Sequence, residues 1–124
     1  MNDWFESRLE PLWNRLQNVT VGMMIGCSGA FDTLADLIDQ TDAGTKTRIR
    51  QEVTIYDFNF TYQKLIASTT ADRMKMKGME PIRIEMIVPS VIFIKMVIER
   101  LKIHKIYQTD FALREGVLYE HIFN

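Results

Sequence analysis

"MMIGCSGAF", residues Met23–Phe31, is where the hydrophobic period of the chain changes. Upstream, "VTVGMMIG" (Val19–Gly26) is short, apolar and bounded by glycine, which predicts a buried strand. Downstream, Phe31, Leu34, Ala35 and Ile38 recur at helical spacing. Ser28 is placed to cap that helix, and Asp32 falls in its first turn, where negative charge offsets the helix dipole. A strand passing through a glycine-flanked turn into a helix admits three readings: an anion cradle, a reactive cysteine, or an ordinary joint.

The same reading extends in both directions. Trp4, Phe5, Leu9, Leu12, Trp13 and Leu16 predict an N-terminal helix that Pro11 kinks or splits. "DQTDAGTKTR" (Asp39–Arg48) is a polar loop, and a short strand is expected near Thr54–Tyr56. A helix follows from about Asp57 to Ala67, then a shorter one capped by Thr69 or Thr70 and ending at Gly78. Pro81 suits the first turn of a long helix striped by Ile84, Ile87, Val88, Val91, Ile94, Ile98 and Leu101. "HKIYQT" (His104–Thr109) predicts another strand. Asp110 turns the chain into a last helix through Leu113, Val117 and Leu118. Strands alternating with helices predict an α/β fold with parallel strands, although only two strands are convincing, fewer than a sheet usually has.

Composition narrows the function classes. The chain has 124 residues, 47% hydrophobic and 25% charged, enough to build one packed domain. Acidic and basic residues nearly cancel, 16 against 15, which argues against a surface for nucleic acid or other polyanions in general. The single cysteine forms no internal disulfide and points to a reducing compartment. The N-terminus "MNDWFESRLEP" is acidic and amphipathic, unlike a secretory signal. The longest apolar run, Met86–Ile98, is too short to span a bilayer and contains Pro89 and Lys95. The expectation is a cytoplasmic protein with no membrane or nucleic-acid partner.

Two strand-to-helix junctions carry the possible chemistry, "GCSGAF" and "TDFALREG". In an open parallel sheet both lie at the carboxyl edge, where ligands bind. The first offers glycines and helix N–H groups to an anion, and the second offers the forked donors of Arg114. Against these stand a plain turn at "GCSG" and a surface ion pair at Arg114. Cys27 at a helix start could be a nucleophile. Cysteine phosphatases close their loop with an arginine six residues later, and that position here is Thr33. A small buried cysteine that packs is the better reading. His104 and His121 have no metal-ligand spacing with other residues, and no carboxylates pair as acid and base.

Taken together the junctions resemble a known family. "IGCSGAFDTLADLI" is similar to the glycine-serine segment of exopolyphosphatases and guanosine pentaphosphate phosphohydrolases, the Ppx/GppA family. "RMKMKGMEPIRIEMIVPS" through "IYQTDFALREGVLYEHIF" resembles that family's arginine-aspartate and "LReG" segments, in the same order. The resemblance implies a helix-rich partial ribonuclease H-like domain of the actin-like ATPase superfamily, covering the C-terminal part of the second domain. It implies phosphoanhydride hydrolysis, with polyphosphate or guanosine pentaphosphate as substrate and Mg2+ as the parent enzyme's cofactor. Gly26, Ser28 and Gly29 then match the glycine-serine loop, within which Cys27 is also a candidate binding position, Arg83 the arginine-aspartate motif, and Arg114, Glu115 and Gly116 the "LReG" turn. Cys27, Ala30, Glu85 and Ala112 depart from the family pattern. The family's first phosphate loop, catalytic glutamate and second-domain glycine loop do not occur here, so residues 1–124 are expected to be an inactive fragment contributing one cleft wall. No catalytic residue and no metal ligand is assigned to this chain. Two alternatives are a stand-alone anion-binding or protein-interaction module and, more weakly, a redox protein dependent on Cys27. Unpaired strand edges would favour a homodimer.

Overall fold

The structure is a computed structural model describing residues 1–124. It contains helix α1 (Asn2–Leu16), strand β1 (Met23–Cys27), α2 (Gly29–Asp39) and strand β2 (Gln51–Val53). These are followed by α3 (Ile55–Ile66), α4 (Thr70–Met74), a 3-10 turn (Pro81–Arg83), α5 (Ile87–Leu101), β3 (Lys105–Thr109) and α6 (Leu113–Phe123). The three strands lie in the order β1-β3-β2. β1 and β3 are parallel, with Cys27 opposite Thr109, and β2 adds an antiparallel edge, with Val53 opposite Ile106. The predicted α/β class holds, and the sheet is small and mixed.

Helices cover one face of the sheet. Leu34 and Leu37 of α2, Phe58 and Leu65 of α3, and Ile87, Val91, Ile94 and Ile98 of α5 form the core with Val53 and Ile106. The stripe read along the long helix is the side that faces this core. On the other sheet face Met23, Ile25 and Cys27 alternate outward and are exposed. Period-2 alternation puts Gly26 inward and Cys27 outward, so the expectation of a buried, packing cysteine is overturned.

Several boundaries moved for identifiable reasons. α1 runs unbroken through Pro11, which sits on the solvent side, where the carbonyl it deprives of a partner can turn to water. β1 starts four residues later than predicted. Gly22 lies against the His104 ring, and its carbonyl accepts from the amides of His104 and Lys105, so pairing begins only at Met23. The short strand is Gln51–Val53 rather than Thr54–Tyr56, because Thr54 caps α3: its hydroxyl accepts the Asp57 amide at 3.0 Å. Thr69 caps α4 with a reciprocal box, Asp72 accepting the Thr69 amide at 2.8 Å. α4 ends at Met74, before Gly78, and the helix after Pro81 opens with a 3-10 turn before α5 proper.

Candidate functional site

The two junctions come together at the carboxyl edge of β1 and β3. Cys27, Ser28, Asp32, Asp110, Ala112 and Arg114 line one open groove of about 930 Å³ beside Leu113, Val117 and Leu118. Parallel pairing of the strands dictates this, since it places both carboxyl ends, and the turns that leave them, side by side.

The turn after β1 is unusual. Ser28 has φ 63° and ψ 171°, a region essentially reserved for glycine, and Gly29 follows at φ 53°. Ser28 precedes α2 as its N-cap residue, but its hydroxyl makes no cap hydrogen bond. The side chain instead lines the groove. A non-glycine residue held there stores about 1–3 kcal/mol. Ser28→Gly is therefore expected to raise stability by about 1 kcal/mol or more, while Ser28→Ala leaves it nearly unchanged. Urea unfolding of the two variants checks this, and a destabilised glycine variant would refute the strain.

Gly26 is buried, and a Cβ there would overlap the Phe31 ring. Its need for glycine is packing of β1 against α2, and it is not open to the groove. Gly29 faces Arg83: a Cβ on Gly29 would lie 3.4 Å from the nearest guanidinium nitrogen. Arg83 Nε has no hydrogen-bond partner, since its nearest carboxylate oxygen, on Glu80, is 3.7 Å away. Arg73 fixes the segment that carries Arg83. It is 8% exposed and donates to the Ile84 carbonyl at 2.8 Å and to the Ser68 carbonyl and hydroxyl at 3.0 Å.

On the opposite wall Arg114 is 81% exposed and paired with Glu115 at 2.7 Å. The surface ion pair is thus realised, although Arg114 also lines the groove. The Ala112 amide, donating at 2.8 Å, and then the Arg114 guanidinium hold Glu115 below the usual carboxylate range. Glu115 accepts the Ala112 amide at the start of α6, and alanine has no side-chain oxygen to return the bond. Gly116 lies in α6 with open space around it, and nothing here demands a glycine.

Sequence reasoning missed the residues that hold the two turns in register. Gln108 is fully buried and donates from one nitrogen to Asp32 at 2.9 Å and Asp110 at 3.0 Å. Two carboxylates fix which end of the amide faces them, leaving its buried oxygen without a partner. Asp110 is clipped to Arg48: its carboxylate accepts the Arg48 amide, and its own amide donates to the Arg48 carbonyl at 2.9 Å. The Arg48 side chain is 3% exposed and pairs with Asp36 at 2.8 Å and Asp39 at 3.0 Å. The only sequence signal was an arginine at the end of a polar loop, which by itself reads as solvated.

The residues present assemble no Mg2+ site of their own: no group of three His, Cys, Asp or Glu side chains lies together. Asp110 accepts a hydrogen bond at each oxygen and Asp32 accepts one from Gln108, so the two groove carboxylates hold the turns in place.

The fold and site define a helix-rich α/β unit whose glycine-serine turn, arginine and second turn converge on one sheet edge, the actin-like ATPase type. The profile of the Ppx/GppA phosphatase family matches residues 1–124, and the chain belongs to that family. It is similar to the crystal structure of an exopolyphosphatase from Cytophaga hutchinsonii, at 31% identity and TM-score 0.86, covering 98% of this chain and 40% of that one. It shares the fold of an Aquifex aeolicus Ppx/GppA family member, at 18% identity and TM-score 0.76, covering 98% and 39% of the two chains. An exopolyphosphatase-like protein aligns at 18% identity and TM-score 0.79, over 97% of this chain and 41% of that one. The chain thus spans about 40% of the length of these solved structures. A search of curated proteins finds no match. No helix is long and apolar enough to cross a membrane.

Proposed function

We propose that residues 1–124 are the C-terminal part of the catalytic module of a phosphoanhydride hydrolase, with polyphosphate or guanosine pentaphosphate as substrate. The single observation that carries this is Arg83 lying against Gly29 at the start of α2, one residue after Ser28, which shares a groove with Arg114. In this reading the unit is part of a ribonuclease H-like domain of a cytoplasmic enzyme. β1 stands at the edge of the sheet with its outer face uncovered, which suits a sheet continued by other strands.

The roles follow from the geometry. The first turn of α2 presents N–H groups and the positive end of the helix dipole to a phosphate oxygen. Arg83, with a free Nε, adds a full charge beside Gly29. The Ser28 hydroxyl, released from capping, orients a second oxygen. Gln108 holds Asp32 and Asp110 together and thereby sets the separation of the two walls. Arg114 closes on substrate only by leaving Glu115. The groove carboxylates hold the turns in register: Asp110 accepts a hydrogen bond at each oxygen, and Asp32 accepts one from Gln108. The general base is expected from outside these residues, as the family resemblance implies, and no step here runs through Mg2+.

Two measurements test this. The purified 124-residue chain is expected to release no phosphate from polyphosphate above background. It is also expected to bind short-chain polyphosphate, and Arg83→Gln should weaken that binding about tenfold, the value of one charge-assisted hydrogen bond. Unchanged affinity in Arg83→Gln, or turnover by the chain alone, would refute the reading.

A further inference from the structure

At the other end of α2 lies a second groove, about 790 Å³, between α2, α3 and the segment after α4. α2 has 11 residues, so this groove sits about 15 Å from Ser28. Its floor is apolar, with Leu37, Leu65 and Met76. On α3, Tyr56 and Phe60 stand one turn apart and are 77% and 64% exposed. Lys64 follows a turn later, and Lys75 and Lys77 line the groove from the segment after α4. None of these lysines takes part in an ion pair.

One exposed ring or one free lysine is an ordinary surface feature. Two rings on consecutive turns of one helix, bordered by three free ammonium groups, form a stacking platform with an electrostatic rim. The two carboxylates in the lining, Asp57 and Asp72, help to choose the ligand. Asp72 is committed to the α4 cap, whereas the Asp57 side chain makes no hydrogen bond and is open to a donor. A bare phosphate chain would leave the rings unused. An acidic peptide would meet two like charges. A ligand with a flat π face, a hydrogen-bond-donating edge and an anionic tail matches every group. We propose that this groove is a second site, binding a nucleoside phosphate with the base on Tyr56 and Phe60, its amino edge toward Asp57, and its phosphates on the lysines.

The test titrates the 124-residue chain with GDP, ADP and pyrophosphate and follows the backbone amide shifts of Thr61 and Lys75. Those signals report this groove and not the Ser28 turn. At least one nucleotide is expected to move them at lower concentration than pyrophosphate. Phe60→Ala and Tyr56→Ala should each weaken that response at least about fivefold, as loss of base stacking does. Lys64→Gln should weaken nucleotide and pyrophosphate alike, and Arg83→Gln should leave these shifts unchanged. All the groove positions tested are exposed, so folding is expected to persist; a variant that fails to refold is replaced by Phe60→Leu, which keeps an apolar side chain and removes the ring. The proposal is overturned if millimolar nucleotide leaves the shifts in place, if pyrophosphate matches the nucleotides, if the ring variants bind normally, or if an acidic amphipathic peptide occupies the groove and nucleotides do not.

Discussion

Replacing Arg48 with methionine is expected to destabilise the chain by about 3–5 kcal/mol, the usual cost of removing one partner from a buried ion pair. For a domain of this size that corresponds to a fall in Tm of about 10–20 °C. The reason is what remains. Asp36 is 3% exposed and would keep the Thr41 hydroxyl at 3.0 Å and the Gly44 amide at 3.1 Å, but no positive charge. Asp39 would keep Lys46 at 2.6 Å and Gln51 at 2.9 Å. Adding Asp36→Asn to Arg48→Met should recover part of the loss, because it removes the stranded charge. A loss below about 1 kcal/mol, the size of an ordinary surface change, would show that the pair is not structural.

The same network predicts a pH response. Burial opposes ionisation of Asp39, but hydrogen bonds from Lys46, Arg48 and Gln51 outweigh it and hold the carboxyl below its usual range. A depressed folded-state pKa means that this contribution is fully present above the unfolded value, about 3.9. It is then lost as pH falls through the lower folded value. Wild-type stability should therefore decline below about pH 4, with a shallower acid limb in Arg48→Met. Parallel limbs would exclude Arg48 as a cause.

Gly78→Ala is the second large effect, expected at about 3 kcal/mol or more. Gly78 has φ 96°, and an added Cβ would lie 2.7 Å from the carbonyl carbon and oxygen of Asp36 and 2.9 Å from the Leu37 nitrogen. These are backbone atoms of α2, so nothing can rotate away, and overpacking adds to the cost of the left-handed conformation. Gly44 separates the two terms. It has φ 73° with nothing within 4 Å of a Cβ, so Gly44→Ala should cost only about 1–2 kcal/mol. Equal losses from urea unfolding of the two variants would remove the clash from the explanation.

Much of the architecture was legible because it rests on local periodicity. The switch at Met23–Phe31 from strand to helix, the stripe along α5 and the strand before "TDFALREG" all follow from which side chains seek burial. The caps were half legible. Thr69 was one of two candidates, with Thr70, whereas Thr54 was read as strand because threonine suits both a strand and a cap, and only the following turn of α3 decides between them. The mixed sheet was not legible, since three residues of β2 carry too little pattern to show their direction.

In the candidate site the sequence alone determined which residue types stand at the two turns, and their order was enough to suggest a phosphate-binding family. The tertiary structure decided what each of them does. Cys27 is exposed because β1 leaves one face uncovered. Gly26 serves the Phe31 ring, Glu115 accepts the Ala112 amide, and Arg83 reaches Gly29 from a turn held by Arg73. Gln108 and Arg48 gained their roles only when residues 62 to 76 positions apart were brought into hydrogen-bond contact. Burial and hydrogen-bond partners are properties of the folded neighbourhood, whereas hydrophobic period is a property of the chain.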